Sequence, residues 1–265
     1  MTTDPFAPLL EELDAWSLAG TVAALWWRDD DAGAPGPALA RLTRLGADHG
    51  VACGLAVIPA RAGTPLRDHV LAAPGLYALQ HGYAHVNHAP PGNGAWELGP
   101  HRPMETVLAD LRAGLAVLRG LLGPRFVPAV VPPWNRIDPE LLPHLPGLGF
   151  CGLSASHRGD GPPMVPGLRR ADAHCDLLTW KNGPARFAGR EKCVTNATEH
   201  LKKKRSGHAD PDEPTGVLTH HLEMDEDAWN FMDDLLSATR SHPGAIWMSP
   251  ADIWPPAAQS RGMTT

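Results

Sequence analysis

Short apolar runs rich in Val, Ile and Trp alternate along the chain with longer stretches whose apolar residues recur every three or four positions. The runs predict strands over 21–28, 51–59, 76–80, 126–131, 150–154, 176–180, 216–221 and 245–248. The longer stretches predict helices over 37–49, 64–71, 104–122, 139–145, 190–204 and 226–241. Leu108, Leu111, Leu115, Leu118 and Leu122 fall on one face of the 104–122 helix, which is therefore buried. About eight strands spaced by helices predict an α/β fold: a parallel sheet closed, or nearly closed, into a distorted barrel. Three turn-rich segments, 87–103, 157–173 and 206–214, interrupt this rhythm, and long loops of that kind are commonly functional or mobile. Strand patterns continue on both sides of each, so residues 1–265 read as one domain.

Composition narrows the chemistry. Of 265 residues, 23 are Lys or Arg and 29 are Asp or Glu, for a net charge of −6. That balance lacks the basic surface that nucleic acid requires, and no apolar run reaches membrane-spanning length, so neither is an expected partner. Cys53, Cys151, Cys175 and Cys193 form no paired motif, which fits reduced thiols better than a disulfide framework. The start of the chain carries acids where a secretory signal has a basic region, so a cytoplasmic location is expected. The 14 histidines direct attention to metal binding and proton transfer.

Four clusters sit at predicted strand ends, where a barrel of this kind carries its active site. In the first, Arg28-Asp29-Asp30-Asp31, three adjacent carboxylates require a cation, hydrogen bonds or full solvation. The second runs from His81 through His85 to His88, with spacings suited to sharing an ion; a zincin motif is excluded because Gly82 follows His81. The third, Val131-Pro132-Pro133-Trp134-Asn135-Arg136, is a stiff loop. It either offers Trp134 as a flat face for a sugar ring, with Asn135 and Arg136 as donors, or is a rigid connector. The fourth, Leu218-Thr219-His220-His221, ends a buried strand in two histidines that must point to opposite faces.

Together these clusters resemble the motifs of the polysaccharide deacetylase family, the NodB-like carbohydrate esterases, in a divergent form and in the family's order from Asp29 to His221. The resemblance implies a distorted (β/α) barrel of seven or eight strands and one divalent metal ion, most commonly zinc. It further implies a small-molecule or saccharide substrate from which an acetyl group is removed. Asp29 then corresponds to the catalytic base and Asp30 to a metal ligand beside His81 and His85. A shift of one residue, with Asp30 as base and Asp31 as ligand, fits the three-acid run as well. Leu218-Thr219-His220 matches the motif that supplies the general acid, so His220 takes that role. Trp134, Asn135, Arg136, Trp180 and His221 are left to contact substrate, with Asp31 and His88 as reserve ligands.

Two features depart from the family pattern. The third motif has Val131 where the family places the arginine that orients the base, leaving Arg136 or Arg28 to supply the charge. The fourth motif is represented only by Asp176 with Trp180. In chemical terms, an Asp/His/His set leaves open positions on a metal for water and a carbonyl oxygen, which suits amide or ester hydrolysis. The expected activity is deacetylation of a soluble, or nucleotide- or lipid-linked, N-acetylated sugar. The altered third motif also admits a metal-dependent amidohydrolase acting on a non-sugar amide. A third reading is a catalytically inactive carbohydrate-binding homologue.

Overall fold

The computed structural model describes residues 4–156, 165–181 and 183–255. The chain opens with α1 (Ala7–Leu18), then runs β1 (Ala23–Ala32), α2 (Pro37–His49), β2 (Cys53–Val57), α3 (Thr64–Ala72), β3 (Leu76–His81), α4 (Met104–Leu122) and β4 (Phe126–Val131). It continues with α5 (Leu145–Leu148), β5 (Gly152–Leu153), β6 (Arg169–Arg170), β7 (Ala173–Asp176), β8 (Leu178–Thr179), β9 (Arg186–Phe187) and α6 (Arg190–Arg205). The last elements are β10 (Thr215–Thr219), α7 (Glu226–Thr239), β11 (Ala245–Trp247) and α8 (Pro250–Ile253).

The main sheet is parallel in the order β6-β5-β4-β3-β2-β1-β10-β7, with β11 beside the start of β1. Its two ends meet. Ala171 N–H donates to Leu153 O and Ala173 N–H to Ala155 O, which carries the sheet from β5 round to β7. The result is the curled parallel barrel with flanking helices that the strand–helix alternation predicts. Strands β2, β3 and β10 are almost wholly buried, as parallel strands are when both faces are covered.

Alternation along β1 separates two cores. Trp26 points into the curl with Leu79, Val131 and Trp254, whereas Trp27 points outward into the layer between sheet and helices. Trp254 closes the curl from below, meeting Trp26 edge-on at 5.4 Å and donating from Nε1 to Arg169 O. Gly152 permits that approach, because a Cβ there would lie 2.4 Å from Trp254 Nε1. Leu108, Leu111, Leu115, Leu118 and Leu122 of α4 are all buried, as their spacing predicts. Helix α2 starts on Pro37 and is capped by Gly50 at φ 63°, a conformation in which glycine carries no Cβ penalty.

Three expectations need revision. The 139–145 helix is a 3₁₀ turn over Pro139–His144 followed by a single turn of α5, since Pro143 removes a donor inside it. The 176–180 strand belongs to two elements. β7 begins at Ala173, and Asp176 accepts the Leu178 N–H and turns the chain out into β8, which pairs antiparallel with β9. The expected 157–173 loop contains β6, and its residues 157–164 lie outside the described residues. Among the described residues no helix is long and apolar enough to cross a membrane.

Candidate metal centre and catalytic site

The C-terminal ends of β1, β3, β4, β7 and β10 gather the chemical groups at one rim of the barrel. Strict alternation on β1 would send Arg28 and Asp30 inward with Trp26, and Asp29 and Asp31 outward with Trp27. A bulge breaks the pattern. Asp29 pairs with Leu55 and Ala32 with Val57, so Asp30 and Asp31 together oppose Ala56 alone. Asp31 takes φ 70° at this point. A two-against-one bulge re-aims a side chain, and here Asp31 joins Asp30 on the inner side.

Asp31 is the carboxylate that meets the histidines. Its Oδ1 lies 3.1 Å from His81 Nε2 and 3.1 Å from His85 Nε2. Asp30, read above as the ligand, instead forms a buried fork with Arg28: Nε to Oδ1 at 2.9 Å and Nη2 to Oδ2 at 3.0 Å. Asp29, read above as the base, is fully buried on the other side of β1 against Thr219 and His221. The geometry therefore follows the one-residue shift, with Asp31 beside the histidines and Asp30 behind it.

The donor set fits a divalent ion. His81 Nδ1–H donates to Val131 O at 2.9 Å, which leaves its Nε2 lone pair facing Asp31. A lone pair and a carboxylate oxygen at that distance repel unless a proton or a cation stands between them. Burial favours neutral His81, but the Asp31 hydrogen bond and the charges of Asp30 and Asp31 outweigh it and raise its pKa. Burial would raise the Asp31 pKa, yet His81, His85 and His220 hold it well below the usual carboxylate range. Burial and the charge of His81 lower that of His85, keeping it neutral, as a ligand must be. Two imidazoles and a carboxylate are a common zinc set with room for exogenous ligands.

The loop bearing His85 is built on backbone that few residues accept. Gly82 has φ 53°, and a Cβ there would fall 1.9 Å from Glu97 Oε2 and 2.7 Å from Pro133 Cγ. His85 itself has φ 57°. Glu97, 2% exposed, holds the turn by accepting from the N–H groups of Tyr83, Ala84 and His85. Glu97 is not legible in the sequence, because a lone acid in a loop rich in Pro and Gly carries no sign that it is buried. His88 is outside the cluster; its N–H serves the loop through Trp96 O.

The remaining groups surround this centre. Trp134, at φ 55° and partly exposed, packs on His85 with ring centroids 4.4 Å apart. Asn135 Oδ1 accepts from Arg28 Nη2 at 2.6 Å, so it braces the Arg28–Asp30 pair. Ser154 Oγ and Ala155 O take the other Arg28 nitrogen, Nη1. Arg136 stacks over Trp96, 5.5 Å from the ring centre, and the charge beside Asp30 comes from Arg28. His220 lies under the exposed Trp180, with ring centroids 4.8 Å apart. Burial raises the Asp176 pKa against the opposing charge of His220. His221, read above as a substrate contact, is 2% exposed and turned onto Asp29, which leaves it no surface to offer.

Comparison with solved structures follows the same outline. A family 4 carbohydrate esterase from Streptomyces lividans, solved in complex with acetate, superposes with TM-score 0.53 at 14% identity, over 87% of this chain and 95% of that one. A peptidoglycan N-acetylglucosamine deacetylase matches with TM-score 0.52 at 15% identity, over 88% and 87% of the two chains. A polysaccharide deacetylase from Bacillus cereus gives 0.50 at 15% identity, over 86% and 91%. The fold is that of the polysaccharide deacetylases. No family model and no curated protein matches the sequence. In this chain the arginine beside the inner carboxylate Asp30 comes from β1 itself, through Arg28.

A second His/Glu group, His174, His200 and Glu213, lies between β7, α6 and the approach to β10. Its geometry argues against a metal ion. The two imidazoles stack at 3.4 Å and 18°, so their in-plane lone pairs run side by side and do not converge. His174 Nδ1 already accepts the Gly216 N–H.

Proposed function

We propose that this chain is a metal-dependent hydrolase that removes an acetyl or related acyl group from an N-acylated sugar or saccharide conjugate, with zinc as its ion. The observation that carries the reading is the convergence of Asp31, His81 and His85 on one point, flanked by the Arg28-held Asp30 and by His220. The likeness of the fold to carbohydrate esterases and deacetylases supports it. When bound, a divalent ion supplies a Lewis acid and an acidified water.

The chain's own residues supply the rest. Asp31, His81 and His85 hold the ion, and Glu97 fixes the turn that aims His85. Asp30 is the base that takes the water proton, and the Arg28 fork fixes its plane. His220 donates the proton that lets the amine leave, since an amide breaks poorly while expelling an unprotonated anion. Trp134 and Trp180 present flat apolar faces on two sides of the centre, and sugar rings pack well on such faces.

A substrate panel tests this reading. Zinc-loaded protein is expected to release acetate from N-acetylated sugar oligomers and to stop when the ion is chelated. Turnover confined to formyl or cyclic amides would transfer the assignment to a non-sugar amidohydrolase. Glycan binding without any turnover would favour an inactive homologue.

A further inference from the structure

His220 has an unusual environment for a proton donor. Its Nδ1 is buried and makes no hydrogen bond among the described residues, and its ring stands at 75° to that of Trp180. Asp176 bears on it through charge, with no hydrogen bond between them. A general acid is normally held by a partner on its second ring nitrogen. The aim of His220 must come from its backbone.

That backbone is gripped on both sides by one carboxylate. Asp29 is fully buried and accepts three hydrogen bonds from the end of β10. They come from Thr219 Oγ1 at 2.6 Å, the His221 N–H at 2.9 Å and His221 Nδ1 at 2.5 Å. Thr219 and His221 are the residues immediately before and after His220. The Glu223 N–H donates to His220 O and completes the turn. Trp27 Nε1 donates to Thr219 Oγ1 at 2.8 Å, which ties the same corner to the outer core. Asp29 is also two residues from Asp31, so one short piece of β1 carries both the ligand carboxylate and the grip on the acid.

We infer that Asp29 is a positioning residue that sets His220 against the metal centre by clamping Thr219 and His221. The inference rests on the reading of His220 as general acid. It explains why β1 carries three carboxylates in a row: one for the ion, one for the water proton and one for the acid's backbone. A misplacement of about 1 Å can cost on the order of 100-fold in rate.

The test compares two substrates that differ in their need for an acid. Release of a sugar amine requires protonation, whereas an aryl acetate expels a stabilised phenolate without it. In zinc-loaded Asp29→Ala, kcat on an N-acetylated sugar is expected to fall about 10- to 100-fold, with KM changed far less. Aryl acetate hydrolysis should fall much less, and one zinc per chain should remain. Asp29→Asn, which keeps an oxygen acceptor for Thr219 and the His221 N–H, should restore most of the amide rate. Equal losses on both substrates, or an unchanged amide rate, would overturn the inference. Should Asp29→Ala not fold, the wild-type protein still decides the geometry. The buried His221–Asp29 bond should give a downfield imidazole N–H resonance, protected from exchange with water, that disappears in Asp29→Asn and persists in His220→Gln. Absence of that resonance from the wild type would overturn the clamp. A wild type that shows the resonance but cleaves neither substrate would instead overturn the deacylase reading.

Discussion

Asp29, Asp30 and Asp31 are chemically identical neighbours, and the backbone between them gives each a different partner. Asp29 faces His221 and Thr219, Asp30 faces Arg28, and Asp31 faces His81 and His85. Asp30→Asn keeps the shape of the Arg28 fork and removes the proposed base, so kcat should fall about 10²- to 10⁴-fold while zinc content stays at one per chain. Metal analysis alongside steady-state kinetics checks both halves. Glu97→Gln should act differently, since it places an amide group where three backbone N–H groups converge. Metal affinity is expected to drop about 10- to 100-fold, measured by competition with a chelating dye, as for other groups that orient a ligand. The four clusters that meet at the rim could be read from the sequence, but not which acid does what. Alternation assigns faces two by two, and the bulge at Asp30–Asp31 with φ 70° at Asp31 breaks that count without a glycine to mark it. Which of His220 and His221 turns onto Asp29 is equally illegible in the sequence, and the structure gives that contact to His221.

At the level of strands and helices the sequence was more informative. Helices α2 and α4 have the bounds that their Pro, Gly and leucine spacing predicts, because those signals act locally. β7 was misplaced because 173–176 is only partly apolar, and its partners on β10 and after β5 are remote in sequence. The same region carries a pH effect that sequence could not suggest. Burial raises the Glu213 pKa from 4.5 to about 7, with the neighbouring Asp172 and Asp210 adding to it and Arg170 opposing it. Lys204, itself pushed down to about 8 by burial, and His174 complete the charged surroundings. Folded protein then holds a proton that unfolded protein releases between pH 4.5 and 7. The stability that Glu213 allows is present below about pH 4.5 and is lost as pH rises toward 7. At about 1.4 kcal/mol per pH unit the whole effect is at most roughly 3 to 4 kcal/mol, less after solvent screening. Denaturant melts at pH 5 and pH 7 should therefore show a smaller loss of stability in Glu213→Gln than in the wild type. Equal losses would mean that Glu213 is ionised throughout.

Across the whole molecule, the curled sheet explains how residues from positions 28 to 220 reach one rim while the lower end is sealed by Trp26 and Trp254. The helices cover the outside, and the only strained non-glycine backbone among the described residues, at Asp31, His85, Trp134 and Asn135, is at that rim. Strain of this kind persists where function requires a particular aim. A bound ion would relieve the facing lone pairs of His81 and Asp31, so zinc should also raise the melting temperature, by an amount that grows with its concentration. The most direct test joins metal and chemistry in one assay: acetate release from an N-acetylated sugar oligomer by protein reconstituted with one equivalent of zinc, with Asp31→Ala beside the wild type. The wild type is expected to release acetate in a zinc-dependent way, and Asp31→Ala to show neither bound zinc nor acetate at the same concentration. Full zinc binding and undiminished acetate release by Asp31→Ala would contradict it.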